Sequence, residues 1–247
     1  MQISNRILSI NESQSFLIAD KMNSALGYLD SVHSFNPSDV IVSVGAKQAI
    51  YHAIMSVINP GDEVIVPQPC WVSYMEIVKL SGGKVISVQT KMEQGYKLLP
   101  EDLRQALSPK TRLLILCSPN NPTGSVYTRA EIQSLINVLQ HYPDVYIIAD
   151  EVYSQIRYTN DCPSWAEFPE IAERVLLING VSKTYAMTGY RIGWLVSKNA
   201  SIVRACKKIQ SQDITCASTI AQKAAEAALR GEQDCVDMMR RTYEPRK

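Results

Sequence analysis

The residues best placed to do chemistry in this chain all follow short apolar runs. Asp150 comes directly after Ile147-Ile148-Ala149, and Lys183 follows Leu176-Leu177-Ile178 by way of Asn179-Gly180-Val181-Ser182. Asn121 lies in Ser118-Pro119-Asn120-Asn121-Pro122-Thr123-Gly124, behind the run Leu113 to Cys117. Gly45-Ala46-Lys47 follows Val40 to Val44 and opens a helical pattern. In open α/β sheets, ligands bind in the crevice beyond the carboxyl ends of the strands. One rim would therefore collect an amide, a carboxylate, an ammonium and a free helix N-terminus.

Each group has a bland reading beside a chemical one. A lysine near a strand end is ordinarily exposed, but the apolar run before Lys183 and the segment Thr184-Tyr185-Ala186-Met187 after it place its amine in a crevice. Partial burial would lower its pKa, and a neutral amine attacks an aldehyde. Asp150 could be an N-cap or a structural ion-pair partner. Facing a protonated pyridine nitrogen instead, it would contribute ~4 kcal/mol at 4 Å with an effective dielectric of 20. Tyr153 could offer its hydroxyl to a phenolic oxygen on the same ring. The start at Gly45-Ala46-Lys47 is a potential anion site, because unpaired N–H groups and the helix dipole favour negative charge there. It is not a Walker P-loop, and an ordinary strand-to-helix turn with a solvated lysine fits equally well. Arg191 can present a planar fork to a phosphate, and Gly189 and Gly193 beside it suggest close backbone packing.

The elements that must position these groups are legible as β-branched runs at Val40 to Val44, Val64 to Val66, Val85 to Val88, Leu113 to Cys117, Val145 to Ala149 and Val175 to Ile178. They alternate with helical patterns such as Ala49, Ile50, Ala53, Ile54, Val57, Ile58 and Ile132, Leu135, Ile136, Leu139. Such alternation predicts βαβ units on a buried, largely parallel sheet covered by helices on both faces. Glu232 to Lys247 reads as a further helix rich in Arg and Met.

At 247 residues and 46% hydrophobic, the chain can bury a sizeable core. Its 25 basic and 24 acidic side chains give a net charge of +1, too small a field to attract nucleic acid or an anionic membrane, so any anion must be held locally. Six scattered cysteines with no C-x-x-C pair suit reduced thiols. The first residues lack an apolar signal-peptide core, and no stretch reaches the ~20 apolar residues of a membrane span. The expected location is the cytoplasm.

Five ordered blocks carry a resemblance: V-G-A-K-Q-A at Val44 to Ala49, P-C-W-V-S-Y at Pro69 to Tyr74, S-P-N-N-P-T-G at Ser118 to Gly124, A-D-E-V-Y at Ala149 to Tyr153, and S-K-T-Y-A-M-T-G-Y-R-I-G-W at Ser182 to Trp194. On these the chain resembles class I/II aminotransferases of the pyridoxal-phosphate (PLP) fold type I, most closely bacterial aspartate aminotransferases. The resemblance implies a three-layer αβα sandwich with a mainly parallel, mixed sheet. It implies pyridoxal 5'-phosphate as cofactor, carried by Lys183 as a Schiff base, with Lys183 later shuttling the Cα proton. Asp150 would pair with the pyridine nitrogen, Tyr153 and Asn121 with the phenolic oxygen. Trp71 would stack on the ring, although as plain core it would need no ligand. Ala46 and Lys47 would give backbone N–H groups to the phosphate, with Arg191 and Ser182 adding charge and a hydroxyl. Lys47, Trp71 and Asn121 would also meet substrate. Lys47 could face the distal carboxylate of aspartate or glutamate, or only help neutralise phosphate. The reaction implied is transfer of an amino group from an L-amino acid to a 2-oxo acid, in a homodimer.

The chain also departs from the family pattern. Residues 1–34 read as a shortened N-terminal arm, with Ile7 to Met22 resembling the family's, and residues 35–247 as the PLP-binding large domain. The C-terminal small domain, whose arginine grips the substrate α-carboxylate, is expected to be absent, as is a G-E-P-D-like loop after the arm. Two alternatives stay open at this point: other PLP chemistry such as β-elimination, and a PLP-binding remnant without turnover.

Overall fold

The computed structural model describes residues 3–8 and 35–246. Seven strands are found there: β1 (Val40–Ser43), β2 (Glu63–Gln68), β3 (Lys84–Gln89), β4 (Thr111–Cys117), β5 (Tyr146–Asp150), β6 (Val175–Gly180) and β7 (Gly193–Val196). They form one sheet in the order β1-β7-β6-β5-β4-β2-β3. Pairing is parallel from β3 through β6, and β7 runs antiparallel to both β6 and β1. β1 therefore points the same way as β6, and every strand except β7 delivers its carboxyl end to one rim.

All six expected strands are present, but two features of the sheet correct the sequence reading. β7 is missing from that reading because Gly193-Trp194-Leu195-Val196 opens on a glycine and holds a single β-branched residue, so it shows no strand pattern. β3 is expected to be buried, yet its residues are exposed or half-buried, because it is the edge strand and only one side of it pairs.

The layers follow from the two-residue alternation along the strands. Leu113 and Ile115 of β4, with Ile148 of β5 and Leu176 and Ile178 of β6, face one core. That core is closed by α2 (Ala46–Val57), α3 (Ser73–Leu80) and α7 (Ala200–Asp213). Leu114, Leu116, Ile147, Ala149 and Leu177 face the other, under α4 (Pro100–Ala106), α5 (Arg129–Leu139) and α8 (Thr219–Arg230). The result is the expected αβα sandwich. Along α2, Ile50, Ala53, Ile54 and Val57 recur at helical spacing and are all but fully buried. Each of the larger ones contributes roughly 1.5–3 kcal/mol by leaving water, which seats the helix whose N-terminus reaches the rim.

Shorter helices are α1 (Asn5–Leu8) and α6 (Val181–Thr184), and α9 (Asp234–Tyr243) matches the expected terminal helix. Ile7 of α1 packs against Ala205 and Ile209 of α7, and Arg6 donates to the Ser81 carbonyl at 2.8 Å. The rest of the expected arm, including most of Ile7 to Met22, lies outside the described residues.

Candidate functional site

The register of the sheet sets the site. Cys117 pairs with Asp150, and Asp150 with Ile178, so the loops after β4, β5 and β6 leave the rim side by side. β6 ends at Gly180 and turns straight into α6, which carries Ser182 and Lys183. β7 starts at Gly193, which pairs with both Gly180 and Ser43, so Arg191 emerges where β1 hands over to α2.

All nine predicted site residues line one cavity of about 200 Å³: Ala46, Lys47, Trp71, Asn121, Asp150, Tyr153, Ser182, Lys183 and Arg191. Residues 145 positions apart in sequence thus share one pocket wall. Tyr74, Val152 and Thr188 complete the lining.

Of the nine predicted residues Asp150 is the buried one, at 3% exposure, beside the buried Tyr74 and Val152. Its Oδ1 accepts from the Val152 N–H at 3.2 Å and its Oδ2 from the Tyr74 hydroxyl at 2.6 Å. Burial pushes the carboxyl up to about 6, against the lowering effect of those two hydrogen bonds. Tyr74 is absent from the predicted set although it stands three residues after Trp71 on the start of α3. Its partner lies 76 positions away, and nothing local announces it. The Tyr74 and Trp71 rings meet edge-on at 5.4 Å.

Lys183 corrects an expectation. It lines the cavity, as the expected crevice requires, but it is exposed and not partly buried on the single short turn of α6. Its Nζ lies 5.8 Å from the centroid of the Tyr153 ring. Tyr153 in turn accepts a long contact from Asn121 Nδ2 at 3.5 Å. On the other side, the Lys47 ammonium sits 4.8 Å from the Trp71 ring centroid.

Arg191 is in the left-handed region at φ 55° and donates to the Thr188 carbonyl at 2.8 Å. Thr188 Oγ1 donates to the Ser182 carbonyl at 3.1 Å, which ties the arginine to the lysine-bearing turn. The guanidinium lies over Gly45: a Cβ there would stand 2.3 Å from Arg191 Nη2. Gly45 also has φ +80°, a conformation that side chains resist. At Gly193 an added Cβ would meet the Ala46 nitrogen at 2.4 Å, so the expected close packing is present there. At Gly189 it is not, since nothing lies within 4 Å. The first turn of α2 and a cationic fork thus converge over a floor that must lack a side chain.

The family profile described as aminotransferase class I and II matches residues 9–247. The chain belongs to the class I and II aminotransferase family. Among curated aminotransferases, it is 42% identical over 214 residues to an aspartate/prephenate aminotransferase of Nitrosomonas europaea, covering 86% of this chain and 54% of that protein. Among solved aminotransferases, it superimposes with a TM-score of 0.88 on a tetra mutant of the Thermus thermophilus aspartate aminotransferase, at 34% identity, covering 98% of this chain and 68% of that one. An aromatic aminotransferase from Pyrococcus horikoshii gives 0.87 at 33% identity, covering 92% and 62%. The chain spans about half the length of the curated aminotransferases it matches. Members of the family are generally PLP-dependent, and the pocket chemistry can be tested against that group.

Proposed function

We propose that the chain is the PLP-binding part of an aspartate-type aminotransferase, residues 35–247 forming the large domain and residues 1–34 an N-terminal arm. The observation that carries this reading is one cavity lined by a buried carboxylate, a lysine and a guanidinium over a helix N-terminus. The residues suit PLP at both ends. The side-chain-free floor at Gly45, under Arg191, is a cradle that a Cβ would fill. The buried Asp150 lacks a cationic partner among its described hydrogen bonds, and a pyridinium nitrogen supplies one.

When bound, PLP supplies an aldehyde that takes up an amino group and an electron-withdrawing ring that stabilises negative charge at the substrate Cα. The protein's part is binding, orientation and proton movement. Arg191, Ser182 and the N–H groups of Ala46 and Lys47 would hold the phosphate. Asp150, oriented by Tyr74 and Val152, would keep the ring nitrogen protonated. Tyr153 and Asn121 would bond the phenolic oxygen, and Trp71 would cover one ring face. The Lys183 amine would anchor the cofactor and carry the proton to and from the substrate Cα. Lys47 would meet a distal carboxylate. Its ammonium already stands beside Trp71, which favours that role over phosphate neutralisation alone. Substrates would then be acidic L-amino acids and 2-oxo acids. The assembly would be a homodimer, and the compartment the cytoplasm. No helix among the described residues is long and apolar enough to cross a membrane.

The test is a single-turnover assay of the PLP-treated chain with aspartate, glutamate and alanine. Stoichiometric 2-oxo acid from aspartate and glutamate, lost in Lys183→Ala, supports the reading. Lys47→Ala should narrow the preference for acidic donors over alanine. Ammonia release without a matching amino group retained on the protein would contradict amino transfer.

A further inference from the structure

A helix is usually ordered at its start by the side chain of its N-cap residue, which accepts from a free N–H of the first turn. In α2 that position is Gly45, where a side chain would strike Arg191 and the backbone sits at φ +80°. The place where the turn would be fixed must stay empty so that the guanidinium can reach the phosphate cradle. Something else has to hold the turn.

Gln48 does so from the third helical position. Its Oε1 accepts from the Val44 N–H at 2.7 Å, reaching back across Gly45. Its Nε2 donates to Asp213 Oδ2 at 2.6 Å, on the last residue of α7. His52 Nε2, one turn further along α2, lies 3.2 Å from the same oxygen. The anchor is itself well fastened, since Gln210 Nε2 of α7 donates to the Val42 carbonyl of β1 at 2.7 Å in the core. Ser43 Oγ, also buried, donates to the Gly45 carbonyl at 3.0 Å. The Val44-Gly45-Ala46 turn is therefore gripped from β1, from α2 and from α7, and Gln48 is the piece that joins the three. Gln48 does not line the cavity.

We propose that Gln48, anchored on Asp213, is a positioning residue that holds the α2 N-terminus and its N–H groups in the shape that receives the cofactor phosphate. The proposal rests on the reading that this chain binds PLP. It makes Gln48 selective for the phosphate end of the ligand, which a general helix-stabilising role would not be. Pyridoxal carries the same ring and aldehyde without the phosphate, so the two ligands separate the cases.

The experiment is equilibrium titration of the full chain, Gln48→Ala and Asp213→Ala with PLP and with pyridoxal, alongside thermal melts. Gln48→Ala is expected to weaken PLP about tenfold while pyridoxal affinity stays within about twofold of the unchanged chain. Asp213→Ala should shift the PLP-to-pyridoxal ratio in the same direction by less, because the Val44 bond survives. Asp213 is 40% exposed at its side chain, so this variant keeps the test available if Gln48→Ala does not fold. A parallel fall for both ligands, or an unchanged ratio in the folded variants, overturns the proposal. An unsubstituted chain that binds neither ligand refutes the cofactor reading beneath it instead.

Discussion

Replacing Asp150 with Asn should make the cofactor-free protein more stable and the cofactor-bound protein less capable. The carboxyl rises from 3.8 to about 6 because it is buried. At 1.36 kcal/mol per unit, that corresponds to about 3 kcal/mol of stability forfeited at pH 8, where the group is ionised in both folded and unfolded chains. A raised folded-state value means the stability is fully present below the unfolded pKa and lost as pH rises through about 6. The gap between Asp150→Asn and the unsubstituted protein should therefore be about 3 kcal/mol at pH 8, about half of that at pH 5, and near zero below about pH 4. The amide oxygen can keep the Val152 N–H while its NH2 donates to the Tyr74 hydroxyl oxygen, whose own proton can turn to Cys117, so both contacts have a partner in the variant. For a chain of this size each kcal/mol moves Tm by roughly 2–4 °C, which differential scanning calorimetry across pH resolves. With PLP bound the sign reverses, since ~4 kcal/mol of attraction to the pyridinium is lost, about three powers of ten in cofactor retention or turnover. A cofactor-free Asp150→Asn variant that melts below the unsubstituted protein at pH 8, or a gap that does not shrink on acidification, would refute this reasoning.

Three further outcomes follow from the same geometry. Tyr74→Phe removes a hydrogen bond that lowers the Asp150 pKa, so the acid limb of a PLP-binding pH profile should move to higher pH, with a stability loss of about 1–3 kcal/mol in denaturant titration. Gly45→Ala should cost roughly 1–3 kcal/mol, because φ 80° with ψ 162° is a conformation essentially confined to glycine, and displace Arg191, seen as a lower Tm together with weaker competition by inorganic phosphate against PLP. Glu151, held by Ser164 Oγ at 2.8 Å and the Trp165 N–H at 3.0 Å, is pushed by burial from 4.5 to about 7. Glu151→Gln should accordingly flatten the loss of stability between about pH 5 and 7 in the same calorimetric series.

The rim was readable from sequence because a parallel sheet gathers its strand ends, so residues following apolar runs must be neighbours. Asp150, Asn121 and Lys183 each follow such a run, and all three line the one cavity. The helix start at Ala46 and Lys47 was readable for a related reason, since a strand-to-helix turn at that rim presents free N–H groups. Tyr74 was not readable as a site residue. Its importance lies wholly in a hydrogen bond to a strand distant in sequence, and tyrosine on an amphipathic helix usually means core. The exposure of Lys183 was also hidden, because the preceding apolar run reports on β6 and says nothing of how far the turn after it projects. β7 opens on a glycine and carries one β-branched residue, which hides it as a strand, yet it brings Arg191 over Gly45. The link from Gln48 to Asp213 spans two helices and was equally invisible to periodicity.

The central claim is that Lys183 is the amine that captures the cofactor's aldehyde in this cavity. Incubation with PLP, reduction with borohydride and peptide mass mapping test it directly, because Lys47 lines the same cavity and is a rival nucleophile. A single pyridoxyl group is expected on Lys183, formed at one equivalent and prevented by Lys183→Ala. Attachment to Lys47, or labelling spread over surface lysines with Lys183 unmodified, would contradict it.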